Sequence, residues 1–269
     1  MTKNKSLVLW IISFFIMIII VFYQRMTGPT YPVHGQVTVN NQTYKFEMPR
    51  SHGGNGGQVI SLNIPDKSIN GKIKFRRFHS YDKWSYADMI RSGDTLSYIL
   101  PQLEPAGKII YHVFLQAGAG QPIPVTQEAV IVRYKDDVPA IVVIFHLFFL
   151  FTAITLSTRA GLEAFFKGEK AFTLALLTSI SMFIGGIIIG PMMQQYAFGA
   201  LWTGWPFGHD LTDNKTAAAV IIWIIALWRT WKNRTNRGWV IVASIVLLIV
   251  FLIPHSILGS EVDYTKLPK

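Results

Sequence analysis

The sequence predicts a membrane α-helical bundle of five transmembrane helices joined to an exported all-β sandwich. Three observations lead there. Hydrophobic residues make up 51% of the 269-residue chain and charged residues only 15%, against about 25% charged in ordinary soluble domains. The apolar residues gather in runs of membrane-spanning length. One long polar stretch between the first two runs alternates instead with the period of β-strands.

A spanning helix needs roughly 20 predominantly apolar residues. The runs 6–24, 138–158, 171–194 and 238–260 meet that length. The run 216–228 is short by itself and spans only if Lys215 and Arg229 snorkel and Trp228 or Trp231 anchors the interface. Charge placement keeps it in the count. With the N-terminus inside, the inner segments hold Lys3 and Lys5, then Arg159, Lys167 and Lys170, then Arg229, Lys232, Arg234 and Arg237. The short outer segments hold only Lys215, Lys266 and Lys269. Removing the short helix would strand the cluster 229–237 outside, against the positive-inside rule. The first run has no small-residue cleavage site and reads as an uncleaved anchor. The expected division is an anchor (1–24), an extracytoplasmic domain (25–137), a four-helix domain (138–260) with an outer loop (195–215), and an outer tail (261–269). The expected location is the bacterial cytoplasmic (inner) membrane, with the C-terminus outside.

The net charge of +10 is thus partly topological and partly spread over the exported domain. The lipid bilayer is the expected partner, and nucleic acid is not. Cysteine is absent, which excludes disulfides, thiolate zinc sites, c-type haem attachment and cysteine nucleophiles.

Within 25–137 the segments "GQVTV", "TYKFEM", "QVISLNI", "GKIKFRRF", "DTLSYIL", "KIIYHVFLQ" and "EAVIVRY" alternate apolar and polar residues between turn formers. That pattern predicts half-buried antiparallel strands and, together, a sandwich of the immunoglobulin or fibronectin kind. "VNNQ" predicts a hairpin, because Asn tolerates the positive φ of a tight turn. "SHGGNGGQ" lacks the Lys-Ser/Thr of a phosphate loop and reads as a flexible loop. "FRRFHSYDKWSY" mixes basic and aromatic residues. It reads as an exposed strand end and loop, or as a contact for lipid headgroups or a partner. "RYKDDVP" carries the last strand directly into the second membrane run.

Candidate chemistry lies on the outer side. His146 falls nine residues after Asp137, roughly 13 Å along a helix. His255 falls near the outer end of the last run, and His209 in the outer loop "LWTGWPFGHDLTDNK". Asp210, Asp213 and Glu261 are on the same side. Ionisable residues inside a membrane are costly and often functional, and histidine is the commonest metal ligand. The leading reading is a histidine-built site for haem b or a divalent metal, zinc or copper. His146 and His255 would be paired ligands, His209 a third, and Asp210 or Glu261 supports. Trp202, Trp205 and Phe207 would cover a haem edge, and the role would be electron transfer or haem handling. An alternative is a metal-dependent membrane hydrolase, with Ser256 and Asp210 available for proton transfer. Another is a non-enzymatic assembly subunit whose sandwich binds a protein partner. In the bland alternative, His146 bonds a neighbouring helix carbonyl and His255 is an interfacial polar residue. Asp213 reads as a helix cap or a partner of Lys215. Gly185, Gly186 and Gly190 read as points of close helix approach, with room for a flat cofactor as the other reading. The absence of an internal repeat, and of polar residues in the inner half, argues against transport.

Residues 131–264 resemble a family of uncharacterised bacterial integral membrane proteins, through "RYKDDVP", "STRAGLEAFF", "YAFGALWTGWPFGHDLTDNKT" and "LIPHSILGSEVDY". The resemblance implies a membrane location and no assigned activity. The outer loop is also faintly similar to the tryptophan-rich loops of haem-handling cytochrome c assembly proteins. It lacks their full Trp-Gly-x-x-Trp-x-Trp-Asp pattern, and the chain has fewer helices.

Overall fold

Without water to bond to, a backbone can satisfy its N–H and C=O groups only as helix or closed sheet. The apolar runs of this chain take the first course. In the computed structural model, which describes residues 2–254, 259 and 261–266, the chain forms two units. One comprises Met1–Pro29 and Val138–Ser260, the other Thr30–Asp137 and Glu261–Lys269.

The helical unit contains α1 (Lys3–Thr27), α2 (Ala140–Phe165), α3 (Ala171–Met182), α4 (Gly190–Phe198), α5 (Leu211–Lys232) and α6 (Arg237–Leu252). A π-helical segment, Phe183–Ile189, joins α3 to α4, so that 171–198 is one continuous helix. Among the described residues, four helices are long and apolar enough to cross a membrane: α1, α2, the α3–α4 helix and α5. The two length expectations reverse. The run 216–228, read as short, is the middle of a 22-residue helix that Asp210 caps. Among the described residues of the run 238–260, read as full length, the helix stops at Leu252, the end of the 16-residue α6. Ile253 leaves the helix with ψ 115, the extended conformation that Pro254 favours in the residue before it.

Small residues bring these helices together. Ala153, Ala160, Ala175, Ala219, Ala226 and Ala243 are fully buried and belong to one core with the buried Trp223. Arg159 does not mark the boundary of the second span as its position suggests. It lies inside α2, and its guanidinium is 2.7 Å from the Glu163 carboxylate, with both side chains at most 2% exposed. Ser6 and the Trp10 ring on α1 flank the guanidinium. Glu163 in turn accepts from the Lys170 backbone N–H at 3.1 Å. A buried charge is tolerable only when paired in this way.

The β unit contains β1 (Val33–Val39), β2 (Gln42–Met48), β3 (Ser51–Gly53), β4 (Val59–Asn63), β5 (Ile69–Arg77), β6 (Ser85–Asp88), β7 (Ile90–Ser92), β8 (Thr95–Ile99), β9 (Lys108–Ala117), β10 (Ile123–Pro124) and β11 (Val130–Lys135). Each of the alternating segments is a strand. The four strands they omit are the short ones, β3, β6, β7 and β10. The β1–β2 hairpin turns through Asn40 and Asn41, at φ 53 and 59, as two-residue turns require. A six-stranded sheet runs β3-β11-β9-β5-β6, with β10 beside β9, and a three-stranded sheet runs β4-β8-β7. The first residues of "SHGGNGGQ" form β3, parallel to β11, so only the glycine-rich remainder is loop. Inward residues of all the sheets meet in one core that includes Val39, Ile60, Leu62, Ile73, Leu96, Tyr111 and Val132. Each large apolar side chain so buried contributes about 1.5–3 kcal/mol.

The described part of the 261–269 tail joins the β unit and packs there. Glu261 lies 2.6 Å from His79 and also pairs with Lys108, and the Val262 N–H donates to the Ala106 carbonyl. Tyr264 is buried with its ring under the Arg77 guanidinium. Arg77 also grips Asp82 through two bonds of 2.7 and 2.9 Å. That fork holds the Asp82 carboxyl below the usual carboxylate range, against a smaller opposing effect of burial. A depressed folded pKa stabilises above the unfolded value, about 3.9 for Asp, and that stability disappears as pH falls through the folded value. Asp82→Asn should therefore lower the melting temperature of the β unit at pH 6, and the difference from wild type should shrink as pH falls below about 3.9. Thermal melts across that range check it, and parallel curves would contradict the assignment.

Candidate functional site

The polar residues of the loop between α4 and α5 are mostly consumed in holding its shape. Gly199 ends α4 at φ 75, and its N–H bonds the Gln195 carbonyl at 2.9 Å. The Asp213 carboxylate, one turn into α5, then accepts from the Thr203 and Gly204 backbone N–H groups at 2.7 and 2.9 Å. Gln194, at the end of the preceding helix, turns its amide nitrogen toward Asp213 at 2.9 Å. Gly204 is required here, because a Cβ would lie 2.6 Å from Asp213 Cβ. Asn214 Oδ1 accepts from the Trp205 N–H. Asp213 is thus neither a cap nor a partner of Lys215, but the tie that closes the loop.

Asp210 is the cap. Its carboxylate accepts from the Thr212 N–H at 2.7 Å, which meets one orphan donor of the first turn and sets a negative charge at the helix N-terminus. It is buried, whereas the adjacent His209 is exposed. Lys215 is 6% exposed, and its ammonium donates to the Ile253 carbonyl. It therefore does not snorkel as expected. It ties the first turns of α5 to the residue at which α6 ends.

His146 lies on α2 within hydrogen-bond distance of the π-helical segment. Its Nδ1 is 3.0 Å from the Gly185 carbonyl. A carbonyl only accepts, so Nδ1 carries the proton, and in the neutral ring Nε2 is left with the lone pair. The same carbonyl accepts from the Gly190 N–H, the i to i+5 bond of a π turn. Gly185 brings this carbonyl close to α2: a Cβ there would lie 2.9 Å from Phe149 Cβ. The next residue, Gly186, faces α5, where a Cβ would lie 2.8 Å from Thr216. Two adjacent glycines thus connect His146 on α2 with the residue that follows Lys215 on α5. Close approach is what these glycines provide.

The aromatic residues of the loop are displayed rather than enclosed. Trp202 is half-buried, and its indole N–H donates to the Trp205 carbonyl at 3.1 Å. Trp205 and Phe207 are 76% and 83% exposed. His255 and Ser256 lie outside the described residues. Glu261 is held by His79 and Lys108 in the β unit. Among the described residues, no group of three or more His, Asp or Glu is placed to hold a metal ion. The sequence reading missed Gln194, Thr203 and the Arg159–Glu163 pair. The i, i+4 spacing of opposite charges in "STRAGLEAFF" was the available signal for the last.

No protein-family model matches the chain, and no curated protein matches it either.

Replacing Asp213 by Ala leaves the Thr203 and Gly204 N–H groups without their acceptor. At about 1–3 kcal/mol for each unsatisfied buried group, the variant should melt several degrees lower and become cleavable within 199–210. Limited proteolysis read by mass spectrometry checks this. Asp213→Asn, which keeps one acceptor oxygen, should fall between the two.

Proposed function

We propose that this chain is a five-span protein of the bacterial cytoplasmic membrane. In it, His146 ligates haem b or a divalent metal near the outer face, in electron transfer or haem handling. The observation that carries the reading is the His146–Gly185 pair. Ligand histidines characteristically donate one ring N–H to a carbonyl, which fixes the tautomer and orients the other nitrogen for the metal. π-helical turns are frequent at functional sites. His255 is the second ligand of the proposal. The three-histidine zinc site of a hydrolase has less support. Asp210 is committed to the α5 cap, Glu261 to the β unit, and His209 stands exposed. Bound between two histidines, a haem iron would supply reversible one-electron chemistry. The chain's own part is to fix the imidazole and to hold a rigid loop beside it. The likeness of 131–264 to bacterial integral membrane proteins agrees with this location.

Covalent connectivity supports five crossings. The β unit continues from α1, leads into α2 and takes up residues 261–266 after α6. The end of α1, the start of α2 and the end of α6 must then share one side of the bilayer. Three crossings between the start of α2 and that point would end on the opposite side, so α6 crosses as well, giving four there and five with α1. A 16-residue α6 is about 24 Å long, short of a hydrocarbon core near 30 Å, a mismatch that local thinning absorbs. The opposite ends of α5 and α6 carry a basic and aromatic belt. Arg229 lies over Trp228 and Trp239, Lys232 over Trp228, and Arg234 over Phe172. That is the signature of an inner face. The strand pairing of the exported domain about a single core supports the sandwich reading.

Protein purified in mild detergent without metal-affinity resin should show a Soret band or a stoichiometric metal. His146→Ala should lose it and His209→Ala should retain it. Neither haem nor metal in the wild type would sink the reading. Because native cysteine is absent, topology is separately testable with single-cysteine variants in whole cells. An impermeant maleimide should label Gly120→Cys and Lys266→Cys but not Asn233→Cys. Labelling of Asn233→Cys would remove the five-span topology.

A further inference from the structure

The outward face of the six-stranded sheet carries a row of basic residues that, among the described residues, form no ion pair. Along β5, Ile69, Gly71 and Ile73 turn inward, while Asn70, Lys72, Lys74 and Arg76 alternate outward. Lys74 Nζ lies 5.1 Å from the Trp84 ring centroid and 5.4 Å from that of Phe114, and the Arg76 guanidinium lies 5.1 Å from Trp84. Among the described residues, none of Lys72, Lys74 and Arg76 forms an ion pair. Arg76 reaches only the Ser80 carbonyl, at 3.4 Å, and its Nε is buried without a partner. His112 on β9, directly across from Lys74, likewise has a buried Nε2 without a partner. Beside this row lies a groove of about 410 Å³, lined by Lys72, Lys74, Tyr86, Asp88, Phe114 and Pro122 among others. One wall is β6, the terminal strand of its sheet.

We infer that this basic row and the groove beside it bind an extended acidic segment of a partner protein, with carboxylates at alternate residues meeting Lys74 and Arg76. Spacing selects the occupant. Outward residues two apart on a strand repeat about every 7 Å, and alternate side chains of an extended peptide repeat at the same interval. Phe114 and Tyr86 in the groove, and the Trp84 ring beside Lys74 and Arg76, accept the apolar parts of such a segment, and cations held against rings remain available to a carboxylate. Asp88, paired across the strands with Lys72, sets polarity: the residue seated at that end is neutral or basic. The inference concerns the β unit alone and does not depend on haem or metal at His146.

The test uses the full chain in phosphatidylcholine nanodiscs and a fluorescein-labelled acetyl-Val-Glu-Val-Glu-Val amide, read by anisotropy. The Glu peptide should bind, and its Gln counterpart should bind more weakly by about tenfold or more, the scale of lost charge pairs. Binding should also weaken with salt, as exposed charges are screened. Lys74→Glu with Arg76→Glu should abolish binding, whereas Lys45→Glu on the exposed face of β2 should leave it unchanged. If the charge-reversed pair does not melt as wild type, Lys74→Gln with Arg76→Gln takes its place. Equal affinity for the Glu and Gln peptides, or undiminished binding by a folded double variant, overturns the proposal. Phosphatidylglycerol vesicles that bind this face when the peptide does not would also overturn it and assign the face to lipid.

Discussion

In the helical unit, polar side chains have little but backbone carbonyls to bond to, and much of the structure follows from that restriction. Ser13, Thr155, Thr158, Thr178, Ser179, Thr216 and Thr230 each donate to the carbonyl four residues back along their own helix. The side chains that join different helices use the same acceptors. Gln24 on α1 donates to the Phe251 carbonyl at 2.7 Å, and Ser244 on α6 to the Ser157 carbonyl at 2.9 Å. His146 and Lys215 follow the same pattern at Gly185 and Ile253. An unsatisfied polar group in such surroundings costs several kcal/mol, so these bonds largely dictate where the helices meet. The acceptors at helix ends and in the π segment are the ones free of a second backbone duty or able to share it.

The same restriction explains the loop between α4 and α5. Two carboxylates near the start of α5 sit where helix and loop backbone N–H groups would otherwise lack acceptors. Asp210 serves the helix and Asp213 serves the loop. Once both are committed, the loop keeps its shape without a ligand, and its aromatic residues are free to project. The buried Arg159–Glu163 pair shows the alternative solution, in which opposite charges satisfy each other inside the protein. It also keeps the last turns of α2 helical beyond the apolar run that Arg159 ends.

The β unit obeys a different rule. Its inward residues obtain their stability from burial, and its outward face is left to charge. Arg77 and Glu261 show how outward charges are normally resolved, with carboxylate or cation partners close by. Lys72, Lys74 and Arg76 are not resolved in this way, and aromatic rings hold two of them instead. That contrast within one sheet distinguishes a supporting contact from a surface prepared for another molecule.

Period and composition alone determined that helices of spanning length flank a β domain, because burial in lipid and burial on one face of a sheet impose different repeats. The Asn40–Asn41 turn was equally legible, since few residues besides glycine accept positive φ. Helix ends were not. Whether α5 or α6 is the shorter helix depended on the Asp210 cap and on Pro254, local effects that an apolar run does not display. The short strands β3, β6, β7 and β10 were hidden because two to four residues carry too little alternation. Partnership was decided only by tertiary structure. Glu261 looked available to the outer histidines until the chain returned it to His79 and Lys108. Asp213 looked like a cap until Thr203 and Gly204 came within reach. Side-chain chemistry lists what a residue can bond, but only folding decides which partner arrives first, because each donor or acceptor is used up by the nearest group that desolvates with it.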